Sequence, residues 1–282
     1  IQRLVDYGVE LRLATKVSDL RQVMAEQGFD ACFLGVGAHL AKRAYIPAGD
    51  ANKVLDAVSV LHDMEEEAAP MLGRRVVVYG GGNTAMDVAR TAKRLGAEEA
   101  IIVYRRTREK MPAHDFEVEE ALQEGISIKW LSTIKEAGEA DIMVEKMALD
   151  ENGLPQPTGE FERIEADSVV LALGQDADLS LLENVPGLVV DRGLIQVDAT
   201  MMTGHPGIFA GGDMAGSERT VTVAIGHGKK AARAIDAWLR GERYSPPPRH
   251  ELATFERMNP WYYSDAPKTV RPVLDILRRQ SP

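Results

Sequence analysis

Residues 74–112 have the sequence "RRVVVYGGGNTAMDVARTAKRLGAEEAIIVYRRTREKMP", from which the fold class can be inferred. It has the pattern of a short apolar strand, a glycine-rich turn, a helix and a second apolar strand, which is the order of a βαβ unit. The turn carries G-x-G-x-x-A, with Gly80, Gly82 and Ala85 at the three fixed positions. Because the first turn of such a helix directs unpaired N–H groups at an anion, the pattern predicts a dinucleotide pyrophosphate site.

Each fixed position of this turn has its own steric role. Gly80 permits the tight turn, Gly82 lets the backbone approach a pyrophosphate that would otherwise meet a Cβ atom, and Ala85 packs the helix onto the strand. The other candidate binding residues of the turn are Gly81, Asn83 and Thr84. A glycine-rich loop without a ligand is the alternative, but the strand before the turn and the strand "AIIVY" after the helix favour a nucleotide site.

The second strand ends in basic residues, at the place where an NAD-binding fold usually carries an acid. Tyr104 is followed there by Arg105 and Arg106. A carboxylate would repel a 2′-phosphate, whereas guanidinium groups are always charged and present paired donors to its oxygens. We therefore predict that this arginine pair selects NADP(H). Two solvated surface arginines are the alternative, and Arg108 and Lys110 nearby favour the binding role.

The composition excludes several classes of protein and of redox site. The 282 residues are 45% apolar, enough for two domains, and contain no apolar run near the roughly 18 residues that span a bilayer. With 43 acidic against 33 basic residues, the chain lacks the cationic surplus of a nucleic-acid-binding protein. A single cysteine, Cys32, excludes a CxxC redox site and all-cysteine metal sites, so electron chemistry requires an organic cofactor. We expect a soluble, cytoplasmic protein with Cys32 as a buried small side chain.

The stretches "GGGNTAMDVARTAKRLGA" and "VYRRTREKMPA" together closely resemble the small-subunit family of NADPH-dependent glutamate synthase. That family includes a module of dihydropyrimidine dehydrogenase and is similar to adrenodoxin reductase. The resemblance extends to about Tyr244. It implies an α/β, Rossmann-like fold with two dinucleotide-binding domains, a parallel sheet with helices, and a small antiparallel meander. It also implies hydride transfer from NADPH to FAD, and onward electron transfer to an iron–sulfur protein or a large catalytic subunit.

A second motif, "GIFAGGDMAGSERTVTVAIGHGKKAARAI", resembles the carboxyl-terminal FAD motif of that family. The resemblance implies that Asp213 accepts a hydrogen bond from a ribityl or ribose hydroxyl, while Gly211 and Gly212 permit the close approach. The N–H groups of Thr222 and Val223 would face the flavin N1 and C2 carbonyl, where negative charge gathers on reduction. An ordinary helix cap is the alternative role of the aspartate.

Two further stretches, "FLGVGA" and "VVLALGQDAD", resemble the strands by which the family's chain leaves and re-enters its FAD domain, and Gly174 in the second is a further cofactor-binding candidate. We expect residues 1–47 and 174–244 to belong to the FAD domain, 48–173 to the NADPH domain, and 245–282 to an extended tail. The family's first FAD motif and its amino-terminal iron–sulfur cysteines are absent from the sequence. We therefore expect a fragment that lacks the βαβ unit for the ADP half of FAD.

Outside these motifs, periodicity predicts a strand within residues 8–19, a helix at 20–27 that Gly28 ends, and a strand within 31–38. Later in the chain, "ISIKWLSTI", "DIMVEKMAL" and "FERIEADSVVLALG" predict a meander of three strand-like stretches, with a turn at 150–159. The tail segment "FERMNPWYYSDAPKTVRP" is rich in aromatics and proline, and either docks on a partner or packs on its own domain.

Three functions are consistent with these patterns. The leading one is an NADPH-dependent flavin oxidoreductase domain, inactive or weakly active alone, that supplies electrons to an iron–sulfur partner. A free-standing ferredoxin reductase and a non-catalytic NADPH-binding module are the alternatives. We assign no catalytic side chain, because hydride transfer needs only that the cofactors be held face to face. The six histidines lack metal-ligand spacing, so no metal site is predicted.

Overall fold

The computed structural model describes residues 1–42, 46–47, 53–65, 70–216, 218–245, 251–259, 261, 265–267, 269–270 and 272–281. The expected domain limit at residue 48, and residues 246–250 at the start of the expected tail, lie outside the described residues.

The chain divides into two units, each built from two separate segments of sequence. Unit 1 consists of Ile1–His39 and Asp176–His250, and unit 2 consists of Leu40–Gln175 and Glu251–Pro282. The second segment of unit 2 therefore follows unit 1 in the sequence.

The α-helices of the described residues are α1 Gln2–Asp6, α2 Leu20–Gln27, α3 Ala57–Glu65, α4 Asn83–Arg94, α5 Asp115–Gln123, α6 Val221–Leu239 and α7 Ile276–Gln280. The strands are β1 Cys32–Leu34, β2 Leu40–Ala41, β3 Lys53–Asp56, β4 Arg75–Gly80, β5 Glu99–Val103, β6 Ser127–Lys129, β7 Ser132–Ala137, β8 Asp141–Leu149, β9 Pro155–Glu165, β10 Ser168–Ala172, β11 Gln175–Asp176, β12 Val190–Asp191, β13 Leu194–Ile195 and β14 Ile208–Ala210. Within the described part of the chain, no helix combines the length and the apolar character needed to cross a membrane.

The central sheet of unit 2 is parallel and has the strand order β3-β10-β4-β5-β6. Every residue of β10 is buried, and the three consecutive valines of β4 are at most 1% exposed. Continuous apolar runs of this kind are typical of parallel strands that are covered on both faces. The predicted α/β fold with a parallel sheet is confirmed.

Different layers cover the two faces of this sheet. Side chains of successive residues in a strand point to opposite faces, so Val76 and Val78 pack with α3, α4 and α5, while Val77 packs on the other side. There it meets Ile142 and Val144 of the antiparallel meander β7-β8-β9. The predicted meander is thus one wall of the core of unit 2.

Helix α4 follows the glycine-rich turn as predicted. Its N-cap is Gly82, and the helix ends just before Gly96, which has a left-handed φ of +95°. Ala85, Ala89 and Ala92 are fully buried on the face toward the sheet. Alanine at these positions lets the helix axis approach the strands closely, which brings the first turn of α4 to the carboxyl ends of the neighbouring strands.

Two of the predicted strands are each divided in the structure. "ISIKWLSTI" forms β6 and β7, with Leu131 at a φ of +47° between them, and "FERIEADSVVLALG" forms the end of β9 and all of β10. At the second break, the Asp167 carboxylate accepts the N–H groups of Arg74 and Arg75 at 2.7 and 2.8 Å. Each break moves the chain from one sheet to the other, a tertiary event that strand periodicity does not reveal.

The predicted turn at 150–159 is shorter in the structure, because β9 already begins at Pro155. The Asp150 carboxylate accepts the N–H groups of Asn152 and Leu154 at 2.9 and 2.8 Å. One side chain therefore closes the reversal within residues 150–154, and the following residues are available to pair with β8.

The strand predicted within residues 8–19 is wrong. All of these residues are described, and none of them forms a strand. Val9, Leu11 and Leu13 alternate as in a half-buried strand, but they are 45%, 44% and 82% exposed. Because these side chains have no surface to pack against, forming a strand would bury no apolar area. Nothing would then offset the entropy lost when the backbone is ordered.

Unit 1 is centred on the parallel pair β1-β14, where Phe209 is fully buried. The predicted helix at 20–27 is confirmed as α2, which Asp19 caps and which ends at Gly28 with a φ of +68°. Cys32 lies in the predicted strand but is only half-buried, and burial raises the pKa of its thiol. The thiol is therefore protonated near neutral pH.

The end of the carboxyl-terminal segment packs on unit 2. The Arg279 guanidinium contacts the Glu124 carboxylate at 2.8 Å, and Gln280 donates to the Glu124 carbonyl at 2.7 Å. Arg94 of α4 donates in turn to the Arg279 carbonyl at 2.9 Å. Helix α7 lies beyond the aromatic and proline-rich segment of residues 255–272, so the choice between the two roles of that segment stays a prediction.

Glu124 is the centre of this contact, with a side chain only 1% exposed. Its carboxylate also accepts two hydrogen bonds from Arg90 of α4, at 2.7 and 2.8 Å. Burial alone would raise the pKa of Glu124, but the hydrogen bonds and charges of Arg90, together with Arg279 and Arg94, hold that pKa below its ordinary value. The ionised carboxylate therefore joins α4, the end of α5 and α7.

We predict that Glu124→Gln lowers the free energy of unfolding by about 3 kcal/mol at pH 7, because it leaves the half-buried arginines that contact it without their counter-charge. Since folding lowers the pKa of Glu124, the stabilisation is complete above the ordinary glutamate pKa and is lost as the pH falls through the folded-state pKa. The difference between variant and wild type in urea unfolding should therefore shrink below about pH 4. The control is Glu119→Gln, an exposed position of the same helix, which should change little. A pH-independent difference would contradict the prediction.

Candidate functional site

A cavity of about 500 Å³ lies in unit 2, at the carboxyl ends of β10, β4 and β5. It is lined by the glycine-rich turn, the arginine pair and the crossover glycine that the sequence singled out: Gly80, Gly81, Gly82, Thr84, Arg105, Arg106 and Gly174. Ligands of open parallel sheets bind at this edge of the strands. Seven sequence-predicted residues from three parts of the chain therefore meet at one site.

Two predicted residues of the turn do not line the cavity. The Asn83 side chain accepts the His114 N–H at 3.1 Å, which joins the start of α4 to the loop before α5. Ala85 is fully buried against the sheet. Their roles in the geometry are to position the turn and to pack the helix.

The glycines of the turn are required for different reasons. Gly80 has a φ of +154°, and a Cβ atom there would lie 2.2 Å from the Ala172 carbonyl oxygen of β10. At Gly81 a Cβ atom would lie 2.4 Å from ring carbons of Tyr104. Both positions therefore exclude any side chain on steric grounds internal to the protein.

Gly82 is different, because its φ of −89° suits any residue and a Cβ atom there would have no heavy atom within 4 Å. The space that a side chain would fill lies in the cavity. Gly82 is the N-cap of α4 and has no side chain that could accept the N–H groups of the first turn. These N–H groups form the positive end of the helix dipole. This geometry can hold a phosphate close to the backbone.

The arginine pair follows β5, where Arg105 is exposed and Arg106 is half-buried. No carboxylate among the residues that the structure describes forms an ion pair with either guanidinium, so both can meet an anion in the cavity. Arg108 instead forms a salt bridge with Glu119 at 3.6 Å and lies outside the cavity lining, as does Lys110. The pair itself is therefore the cationic end of the site.

Tyr104 stabilises the backbone next to the arginine pair. Its hydroxyl donates to the Lys110 carbonyl at 2.6 Å, and its ring meets Trp130 edge-on with centroids 6.3 Å apart. Burial raises the pKa of the Tyr104 hydroxyl, against the opposing charges of Arg106 and Arg105. A protonated tyrosine thus holds the backbone beyond the arginine pair in place.

Lys42 also lines the cavity, and sequence reasoning did not single it out. Its N–H group donates to the Gly174 carbonyl at 2.9 Å, which brings the segment after β2 beside the end of β10. In the sequence it lies four residues after the crossover stretch "FLGVGA" and belongs to no motif. Within the described residues, no three His, Cys, Asp or Glu side chains are grouped as metal ligands would be.

A second hollow, of about 430 Å³, lies in unit 1 between β1, β14 and the start of α6. Gly212 and Asp213 line it, whereas Thr222 and Val223 do not. The N-cap of α6 is Thr220, whose hydroxyl accepts the Val223 N–H at 3.3 Å. Asp213 therefore does not cap α6, which removes its alternative role.

His227 of α6 holds the turn that carries Asp213. Its Nδ1 accepts the Gly212 N–H at 3.2 Å, and a Cβ atom at Gly211 would lie 2.8 Å from the His227 Cβ. Burial, with the nearby Lys230 charge, lowers the pKa of His227 and favours the neutral imidazole that can accept this bond. The backbone of the turn is thus fixed by a side chain on the facing helix.

Comparison with known proteins extends over most of the chain. The chain is 38% identical over 269 residues to the NADP(+)-dependent formate dehydrogenase subunit beta of Moorella thermoacetica, covering 89% of this chain and 38% of that protein. It is 33% identical over 261 residues to the glutamate synthase (NADPH) small chain of Escherichia coli, covering 82% of this chain and 55% of that protein. The chain thus spans about half or less of the length of these relatives.

Among solved structures, FprA of Mycobacterium tuberculosis in complex with NADPH has the same fold, with a TM-score of 0.61, 18% identity, and coverage of 80% of this chain and 68% of that one. The resemblance to the glutamate synthase small-subunit family is confirmed. The family model described as pyridine nucleotide-disulphide oxidoreductase matches residues 2–228. The chain belongs to the pyridine nucleotide-disulphide oxidoreductase family.

Proposed function

We propose that the chain is part of an NADPH-dependent flavin oxidoreductase that passes hydride from NADPH to FAD and electrons onward to an iron–sulfur partner. The observation that carries the proposal is the cavity of unit 2, where the glycine-rich turn and the arginine pair lie together. The names of the relatives, an NADP(+)-dependent formate dehydrogenase subunit and a glutamate synthase (NADPH) small chain, support NADP(H) and a partner subunit.

NADPH would be held by unit 2. The first turn of α4 and the open space at Gly82 fit a pyrophosphate, and Arg105 and Arg106 fit the three oxygens of a 2′-phosphate. This corresponds to an NADPH domain of residues 48–173, with the FAD domain formed by 1–47 and 174–244.

FAD would be held in part by the hollow of unit 1. Asp213 would accept a hydrogen bond from a hydroxyl of the ribityl or ribose group, and Gly212 would permit the close approach. The positive end of the α6 dipole, at Val221 and Thr222, would stabilise negative charge, whereas the Val223 N–H already donates to Thr220. When bound, a flavin exchanges hydride with nicotinamide and single electrons with iron–sulfur centres. The neutral His227 keeps the Gly212 turn in its position.

A free-standing ferredoxin reductase and a non-catalytic NADPH-binding module remain the alternative proposals. Absorbance separates the NADPH-binding module from the leading proposal. Flavin in a longer form of the protein absorbs at about 450 nm, and this absorbance is lost on NADPH addition only if hydride transfer occurs. Co-purification with an iron–sulfur subunit separates the leading proposal from a free-standing ferredoxin reductase.

We predict that replacing both Arg105 and Arg106 with alanine weakens NADPH binding by about 2–4 kcal/mol, because two charge-assisted contacts to the 2′-phosphate are lost. NADH, which lacks that phosphate, should bind nearly as before. Calorimetric titration of both nucleotides measures the difference. Arg108→Ala is the matched control, since that side chain pairs with Glu119 outside the cavity. Equal losses for NADPH and NADH would refute the assignment.

We predict that Gly82→Val abolishes most nucleotide binding while the protein still folds, because the new side chain enters the cavity and its Cβ atom has no protein heavy atom within 4 Å. Gly80→Ala should instead destabilise the fold, since its Cβ atom would overlap the Ala172 carbonyl. Circular dichroism and NADP⁺ titration of both variants measure the two effects. Unfolding of the Gly82 variant would mean that the turn is purely structural.

We predict that the 282-residue chain binds NADP(H) but retains FAD weakly. Its one glycine-rich strand-turn-helix unit is assigned to NADPH, which leaves the FAD pyrophosphate without a second such unit in this sequence. The FAD content of the purified chain, measured by absorbance against protein concentration, checks this. About one tightly bound FAD per chain, with hydride transfer from NADPH to a dye, would contradict it.

A further inference from the structure

The three strands that border the unit 2 cavity determine the order of the groups that line it. β10, β4 and β5 are adjacent and parallel, so their carboxyl ends lie side by side at intervals of about 4.8 Å. Gly174 follows β10, the glycine-rich turn follows β4, and the arginine pair follows β5. The turn therefore lies between the arginine pair and the end of β10.

This inference rests on the function proposed above, which gives a dinucleotide in the cavity a defined direction. With the 2′-phosphate at Arg105 and Arg106 and the pyrophosphate at the turn, the adenosine half occupies the β5 side. The remaining half, which carries the nicotinamide, then extends over the end of β10.

Lys42 lies at that end. Its backbone is joined to Gly174 by a hydrogen bond of 2.9 Å, and a Cβ atom at Gly174 would lie 3.7 Å from the Lys42 Cδ. The aliphatic part of the lysine thus passes over the glycine and directs the side chain into the cavity lining. The φ of +105° at Gly174 is in the left-handed region, which favours glycine at this crossing.

The charges of the cavity lining also favour an anionic ligand near Lys42. Among the residues that the structure describes, the charged side chains that line the cavity are Lys42, Arg105 and Arg106. The chain as a whole has a formal net charge of −10. Cationic side chains at this site of an acidic protein are suited to a ligand that carries several phosphates.

We propose that Lys42 is a binding residue for the nicotinamide side of the dinucleotide, donating from its ammonium group to the phosphate next to the nicotinamide ribose. The arginine pair then binds the 2′-phosphate on the β5 side of the turn, and this lysine binds the pyrophosphate from the β10 side.

Adenosine 2′,5′-bisphosphate tests the proposal, since it keeps the 2′-phosphate and the adenosine-side phosphate but lacks the nicotinamide nucleotide. Calorimetry on the full chain should show that Lys42→Met weakens NADP⁺ binding about 10- to 100-fold and leaves the bisphosphate within about twofold. The paired Arg105 and Arg106 alanine variant should weaken both ligands. Lys42→Arg, which keeps the charge, should restore most NADP⁺ affinity.

The control is Lys146→Met, a lysine of the meander that pairs with Glu160 outside the cavity lining and should change neither ligand. Unchanged NADP⁺ affinity in a folded Lys42→Met protein, or equal losses for the two ligands, would overturn the assignment of Lys42. Failure of the unaltered chain to bind both ligands would overturn the proposed function itself, and this assignment with it.

Discussion

The turn after β4 passes so close to the backbone of β10 that no side chain fits at Gly80, where a Cβ atom would lie 2.2 Å from the Ala172 carbonyl. This approach brings the start of α4 to the edge of the sheet. The alanines on the buried face of α4 allow the helix to follow. Both the position of Gly82 and the space above it depend on this one contact between two strands. The candidate site is therefore a property of backbone packing before any side chain takes part.

Electrostatics then determines what the cavity can hold. The protein is acidic overall, yet the charged side chains of the described cavity lining are cationic. The helix N-terminus at Gly82 adds a partial positive charge. Elsewhere in unit 2, arginines are neutralised by carboxylates, as Arg90 is by Glu124. Arg105 and Arg106 form no ion pair with a carboxylate of the described residues, and this difference separates the arginines that can bind a ligand from those that stabilise the fold.

The features predicted from the sequence are the local ones. The turn, α4 and the arginine pair lie within 39 consecutive residues, and the chemistry of glycine and the period of the helix identify them directly. Lys42 reaches the same cavity through a bond to Gly174, which is distant in sequence, so no local pattern marks it. The strand predicted at Val9, Leu11 and Leu13 failed for the related reason that alternation alone does not supply a neighbouring surface.

The contact between Glu124 and Arg279 joins residues that are 155 positions apart, and all of the second segment of unit 1 is synthesised between them. On a translating ribosome, the parallel sheet of unit 2 can assemble early. Glu124 then has Arg90 and Arg94 as counter-ions, while α7 is still inside the exit tunnel or not yet made. Unit 2 is therefore completed only after the second segment of unit 1 has been synthesised, so the two units cannot mature strictly one after the other.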